Sequence, residues 1–237
     1  MKSDIKEIVA NLLNAPDRVK FRELLQNNLE EYNELEFKGD YIKYDKLAKH
    51  ILAMANTNNS LIIFGVDEED NKLNPIGIEL KDKTDIKNGL KHYLPDSLEY
   101  EIHDFKYGNE PEWKKIKNKD FQMITIRFTP DKIPFLSKIE KGVVKPFEIY
   151  CRRSNSSEKV RQEDIERILN ARINSSTNNN EFNLEKELNE LKILNSYNNP
   201  LYQLLFVNDY YFIKLVKKFE EKKIKLIEKE LGIDIID

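Results

Sequence analysis

Glu31-Tyr32-Asn33-Glu34-Leu35-Glu36-Phe37-Lys38, followed by the apolar run Ser60-Leu61-Ile62-Ile63-Phe64-Gly65-Val66 and the acids Asp67, Glu68, Glu69 and Asp70, decides the fold. Strand side chains alternate between faces, so Leu35 and Phe37 are predicted to enter a core while Glu34, Glu36 and Lys38 share the opposite face. A run as apolar as Leu61 to Val66 belongs in the interior of a sheet, and its end delivers Asp67 or Glu68 to the rim. Three carboxylates then converge near one lysine. Glu31 and Glu36 have opposite parity, so both face one site only if the chain bends between them.

Carboxylates beside a lysine are what metal-dependent nucleases use. The acids hold one or two divalent ions, which generate the attacking hydroxide and neutralise phosphate charge, while the lysine orients water or phosphate. The spacing Glu-x-Lys does not decide the chemistry alone, because a solvent-facing Glu and Lys on a half-buried strand looks the same.

Composition narrows the classes. The chain has 237 residues, a net charge of −3 and 34% charged residues, which describes a well-solvated protein in which any nucleic-acid-binding surface must be local. Cys151 is the single cysteine, which excludes an intrachain disulfide and a cysteine-pair zinc site and fits a reducing cytoplasm. No stretch approaches the roughly 18–20 apolar residues that span a bilayer, and Met1-Lys2-Ser3-Asp4-Ile5-Lys6 lacks a signal-peptide core, so a cytoplasmic location is expected.

Along the chain, residues 3–13 and 19–29 read as helices, and 45–54 as a core-packing helix with Leu47, Ala48, Ile51 and Met54 on one face. Ala55-Asn56-Thr57-Asn58-Asn59 is predicted as a turn that exploits the left-handed tolerance of Asn. Leu73 to Glu79 reads as a short return strand limited by Pro75 and Gly77. A helix over 83–93 and strands near 98–103, 121–128 and 146–152 follow, then a turn at 154–157 and a helix over 162–171. Asn174-Ser175-Ser176-Thr177-Asn178-Asn179-Asn180 reads as a flexible linker. The expected organisation is an α/β domain over 1–173, a linker over 174–181 and a small helical appendage over 182–237.

Taken in series, Glu31-x4-Glu36-Phe37-Lys38, Ala55-Asn56-Thr57, Leu61 to Glu68, Gly77, Pro134, Tyr150-Cys151-Arg152-Arg153 and the helix start at Gln162-Glu163-Asp164-Ile165 resemble the Schlafen AlbA-type domain over about residues 20 to 172. The resemblance implies a mixed β-sheet flanked by helices. In the nuclease members it implies cleavage of transfer or ribosomal RNA with Mn2+ or Mg2+ held by three acids. Two of these look like Glu31 and Glu36, the third like Asp67 or Glu68, and Lys38 matches a family lysine near the site. Two departures stand out: Asn59-Ser60 replaces the usual Gly-Gly before the central strand, and the chain has one lobe where the animal nucleases have two. Bacterial members are also described as DNA-binding regulators or ATP-binding proteins. None of the seven glycines here stands in a Gly-x4-Gly-Lys-Ser/Thr loop, so the ATP reading has no support in the sequence.

From 138 to 161 stand Lys138, Lys141, Lys145, Arg152, Arg153, Lys159 and Arg161 against Glu140, Glu148 and Glu158, a net-positive segment in an acidic protein. Lys38, Lys145, Arg152, Arg153, Lys159 and Arg161 are the expected nucleic-acid contacts, with Arg152 and Arg153 gripping the backbone. His50, His92 and His103 lack metal-ligand spacing and are expected to be satisfied or superficial, Cys151 to be packed, and Tyr107 and Trp113 to pin a loop to its own core. The reading is therefore a metal-dependent endoribonuclease acting on structured RNA, in phage defence or stress arrest. Its alternative is a non-catalytic DNA- or RNA-binding regulator. Leu204, Leu205, Val207, Tyr211, Phe212, Leu215, Val216 and Phe219 are more apolar surface than one short helix buries, so the tail either joins a homodimer through the C-terminal helices or folds back onto its own lobe. Crowded carboxylates also predict that Glu36→Gln leaves the thermal midpoint near or above that of the parent.

Overall fold

The computed structural model describes residues 5–26, 33–69, 72–109, 113–138, 141–153, 156–178 and 210–232. Two helices, α1 (Ile5–Asn14) and α2 (Arg18–Gln26), precede strand β1 (Leu35–Lys38), helix α3 (Tyr44–Ala55) and strand β2 (Ser60–Phe64). A hairpin of β3 (Val66–Glu69) and β4 (Lys72–Pro75) leads to helix α4 (Lys83–Leu90), strands β5 (Tyr100–Lys106) and β6 (Asp120–Ile126), and a second hairpin of β7 (Tyr150–Arg153) and β8 (Ser156–Lys159). Helices α5 (Gln162–Asn178) and α6 (Tyr210–Leu231) follow. The chain divides into two compact units, Met1–Val160 and Arg161–Asp237.

The main sheet has the order β1-β2-β6-β5, with β1 and β2 parallel and the other neighbours antiparallel. It is a mixed sheet in an α/β fold, as the sequence predicts. Parallel neighbours need a crossover, and α3 supplies it. β2 is interior, which explains why all five of its residues are buried.

Cross-strand register sorts the side chains into two faces. Leu35 and Phe37 pair with Leu61 and Ile63, Ile63 pairs with Met123, and Phe105 pairs with Phe121. All of them lie in one core cluster with Val9, Leu12 and Leu13 of α1 and Phe21, Leu24 and Leu25 of α2. Phe21 stacks on Phe105 with ring centroids 4.1 Å apart. The opposite face carries Glu36, Ile62, Ile124 and Ile102 in one row. It is covered by α3, against which the β7–β8 hairpin also packs.

The polar turn after α3 is built differently from the expectation. Among the described non-glycine residues only Asn118 and Phe147 have positive φ, so Asn56, Asn58 and Asn59 do not use left-handed geometry. Their side chains tie the chain instead. The Asn56 amide donates to the carbonyls of Phe135 and Tyr150 and its Oδ1 accepts from Phe135 N–H. Asn59 Oδ1 accepts from Phe128 N–H at 2.8 Å, and Ser60 Oγ donates to Asn58 O. Side-chain hydrogen bonds, not left-handed backbone, thus shape this turn.

Gly65 ends β2 with φ +94°, a conformation open to glycine. Its carbonyl accepts from both Ile76 and Gly77 N–H, folding the β3–β4 hairpin back toward the sheet end. The predicted return strand is β4, which pairs with β3.

In the second unit, α5 runs to Asn178, so residues 174–178 of the expected linker are helical, and 179–181 lie outside the described residues. Helix propensity of Asn and Ser is only a weak prior, and Ser175 Oγ bonds back to Arg172 O at 2.8 Å, a pattern compatible with a continuing helix. Val216 and Phe219 of α6 are buried. Phe219 lines a small cavity with Leu169 and Ile173 of α5, which accounts for it without a second copy of the chain. Leu204, Leu205 and Val207 lie outside the described residues, as do the side chains of Tyr211, Phe212 and Leu215.

Candidate metal and nucleic-acid site

Glu36 occupies the middle of β1 on the face opposite Leu35 and Phe37, yet it is 3% exposed. A buried carboxylate needs partners, and Glu36 finds three bases. Lys38, two residues on and on the same face, places Nζ on Glu36 Oε1 and on Phe37 O at 3.1 Å. Arg152, from β7, forms an ion pair with Glu36 Oε2. His50, from α3, sets Nδ1 3.8 Å from Oε1. No hydrogen-bond donor is aligned on Oε2, and Arg152 Nε is also buried without a hydrogen-bond partner among the described residues. The solvent-facing alternative for Glu36 is therefore excluded.

A second layer holds these groups. Arg152 N–H donates to Thr57 Oγ1 at 2.9 Å, and Thr57 Oγ1 in turn donates to Ala53 O, so the last turn of α3 fixes the β7 backbone. Ser157 of β8 places Oγ 3.0 Å from His50 Nδ1 and 3.5 Å from Arg152 Nη1. At the same sheet end Gln122 is fully buried: Tyr41 donates to its Oε1 at 2.8 Å, and its Nε2 donates to Asp104 Oδ1 and Lys81 O.

The acids expected at the rim separate. Asp67 lies against Gly39, one residue beyond Lys38: its carboxyl carbon is 3.5 Å from where a Cβ on Gly39 would stand. Glu68 is exposed and opposes Leu73 across the hairpin. Glu31 lies outside the described residues.

Of the expected nucleic-acid contacts, Arg152 is corrected. Its side chain is fully buried on Glu36, where no phosphate reaches it. The β7–β8 hairpin packs against α3 and turns the guanidinium inward, onto Glu36. Arg153 pairs with Glu158 at 2.6 Å and Lys159 with Glu148 at 3.3 Å, while Lys145 is exposed. Arg161 is exposed in the second unit, its N–H donating to Asp164 Oδ2.

His50, expected to be satisfied or superficial, is satisfied by Ser157; Leu47, His50, Ile51 and Met54 share the spacing that puts a side chain on the sheet-facing side of α3, which the sequence alone does not connect to the site. Burial, aided by Lys38, Arg152 and Lys49 and opposed by Glu36, lowers its pKa from 6.5 to about 4. The unfolded chain then takes up a proton near pH 6.5 that the folded chain refuses until about pH 4. Stability falls as pH drops through this window, by up to about 3 kcal/mol from this group once pH is below 4. Urea unfolding of metal-free protein near pH 7 and near pH 4.5 should show the parent losing more stability than His50→Gln. Parallel losses would remove His50 as a cause. His103 bonds Thr125 Oγ1 at 3.2 Å and His92 is exposed, as expected of them. Cys151 is buried, and Tyr107 is held by its hydroxyl to Arg18 O at 2.7 Å.

A divalent ion of the Mn2+ or Mg2+ type takes hard oxygen donors. Glu36 Oε1 and Phe37 O already converge on one cation, the Lys38 ammonium, and Asp67 stands beside the next residue. This donor chemistry fits such an ion. Among the described residues no group of three or more His, Cys, Asp and Glu side chains is placed to enclose a metal, so a full ligand set needs a donor from outside them.

The sequence profile described as "Schlafen, AlbA_2" matches residues 31–190, more than half of the chain and all of the site just described. The chain belongs to the Schlafen AlbA_2 family. Curated proteins give no match to it. Membership of the Schlafen AlbA_2 family suggests nucleic-acid binding, and no helix among the described residues is long and apolar enough to cross a membrane.

Proposed function

We propose that this Schlafen AlbA_2 domain is a metal-dependent endoribonuclease that cuts structured RNA such as transfer or ribosomal RNA in the cytoplasm, in phage defence or a stress response. The observation that carries the reading is the meeting of Glu36 and Lys38 on one strand face with Asp67 against Gly39 at the end of that strand. Glu36 and Asp67, with Glu31, would hold Mn2+ or Mg2+, which when bound supplies an activated water and neutralises phosphate charge. Lys38 is half-buried and reaches solvent, so its ammonium can turn from Glu36 to a phosphate oxygen or the attacking water. Arg152 and Ser157 keep the Glu36 carboxylate and the His50 ring in place beneath it. A second copy, joined through the C-terminal helices, would lengthen the surface available to a folded RNA.

Incubating the protein with total RNA, with Mn2+ and with chelator, tests the reading. Metal-dependent fragments that disappear with Glu36→Gln, compared at a temperature where both proteins are folded, are the expected result. Equal fragmentation by the variant would overturn the assignment.

A second reading is favoured by one observation: both oxygens of Glu36 face cations, so the acid also serves as the counter-charge of a buried arginine. On that reading the domain binds DNA or RNA without cutting it, and tight binding with no cleavage under any metal is its signature.

A further inference from the structure

The end of β5 and its connection to β6 carry Lys106, Lys114, Lys115, Lys117 and Lys119 against Glu110 and Glu112, and strand register fixes where the connection lies. Lys38 is in register with Phe64, Phe64 with Gln122, and Lys106 with Asp120. The ends of β1, β2 and β5 and the start of β6 therefore share one end of the sheet, the end that holds Lys38. Lys119 Nζ donates to Pro75 O, and Ile78 N–H donates to Asp120 O at 2.9 Å, so the β3–β4 hairpin with Asp67 is tied to the same connection.

The connection is anchored within its own unit. Ile116 is completely buried in the core cluster and the half-buried Trp113 packs against that cluster. Asn118 N–H donates to Gly108 O and Tyr107 N–H to Lys119 O, both at 3.1 Å. Lys114, Lys115 and Lys117 project from this anchored turn, are exposed, and form no ion pair among the described residues; Lys115 lies over the Trp113 ring at 5.8 Å. In the 138–161 segment Lys141 and Lys145 are exposed, but four other basic residues are already engaged. Lys138 is held by Asp96 at 2.7 Å, Arg153 by Glu158, Lys159 by Glu148, and Arg152 is buried on Glu36. A paired lysine must give up its carboxylate before it neutralises a phosphate, whereas an unpaired one gives up only water and counterions.

We propose that Lys114, Lys115 and Lys117 form a phosphate-backbone contact surface that leads RNA to the sheet end holding Glu36, Lys38 and Asp67. Recognition there is of the backbone and independent of sequence, with Trp113 beside the path. The surface rests on the reading of the site as one that handles RNA, but its test does not require cleavage.

The experiment is fluorescence anisotropy of a labelled oligouridylate in chelator, titrated with the full chain across a salt series. The parent should bind with affinity that falls with salt. Lys114→Ala combined with Lys115→Ala and Lys117→Ala should flatten the slope of log K against log salt by about 2, from roughly 0.7 per lost single-strand contact. Lys132→Ala combined with Lys138→Ala removes lysines paired with Glu99 and Asp96 and should leave the slope unchanged. The one tryptophan, Trp113, adds a local readout: its emission should change on RNA binding. Parent-like slope and affinity in the triple variant, failure of the parent to bind, or a loss confined to the paired-lysine control would each overturn the proposal. Binding that behaves as expected without cleavage in Mn2+ would remove the nuclease reading and leave this surface standing.

Discussion

Arg152→Ala should cost about 3–5 kcal/mol of folding stability, the largest loss expected of any single change in the site. The guanidinium is fully buried and pairs with a carboxylate that is itself 3% exposed, so its removal leaves Glu36 desolvated with only Lys38 at its rim. For a chain of this size that is a fall of roughly 6–20 °C in Tm. Glu36→Gln should also destabilise, because it strands Arg152, whose Nε already lacks a hydrogen-bond partner among the described residues. This reverses the sign predicted from the sequence. Crowded acids would be relieved by losing a charge, but Glu36 is surrounded by cations. Combining Glu36→Gln with Arg152→Met should recover part of the loss, since replacing both charges by less polar groups avoids an unpaired ion. Thermal and urea melts of Arg152→Ala, Arg152→Met, Glu36→Gln and the double variant decide it. Arg152→Ala that melts with the parent, or a double variant whose loss equals the sum of the singles, would contradict a buried pair.

The difference in sign shows what could be read from the chain and what could not. Alternation along Leu35-Glu36-Phe37-Lys38 placed two residues in the core and put Glu36 beside Lys38, and the apolar run 60–64 became an interior strand. Parity assigns a face but says nothing of what covers that face. The cover over Glu36 comes from α3 and from a hairpin more than a hundred residues further along the chain, and no local pattern announces their meeting. The basic 138–161 segment was legible as charge, whereas the pairing of several of its residues was not: Lys138 finds Asp96, 42 positions away. Lys114, Lys115 and Lys117 were equally visible as letters, and only tertiary structure shows them, without an ion pair among the described residues, at the sheet end that carries Lys38. Composition also misread residues 174–178, where a polar string continues a helix.

Register past Gly65 is the remaining point that counting could not decide, and it carries the second large effect. Residue alternation continued from β2 leaves Asp67 and Glu68 as equal candidates. The positive φ at Gly65 breaks that alternation, and the hairpin that follows lays Asp67, not Glu68, against Gly39. Under the endoribonuclease reading, Asp67→Asn should reduce metal-dependent RNA cleavage by about a hundredfold or more, the scale of losing one charge-stabilising group from such a site. Glu68→Gln should stay within about threefold of the parent, because its side chain is exposed and opposes Leu73. Both acids are exposed, so both variants should keep the parent Tm, and RNA affinity in chelator should be unchanged. Single-turnover cleavage in Mn2+ separates the two positions. Loss of cleavage in Glu68→Gln with activity retained in Asp67→Asn would mean that the approach of Asp67 to Gly39 is a packing feature. The third acid would then have to be sought at Glu68.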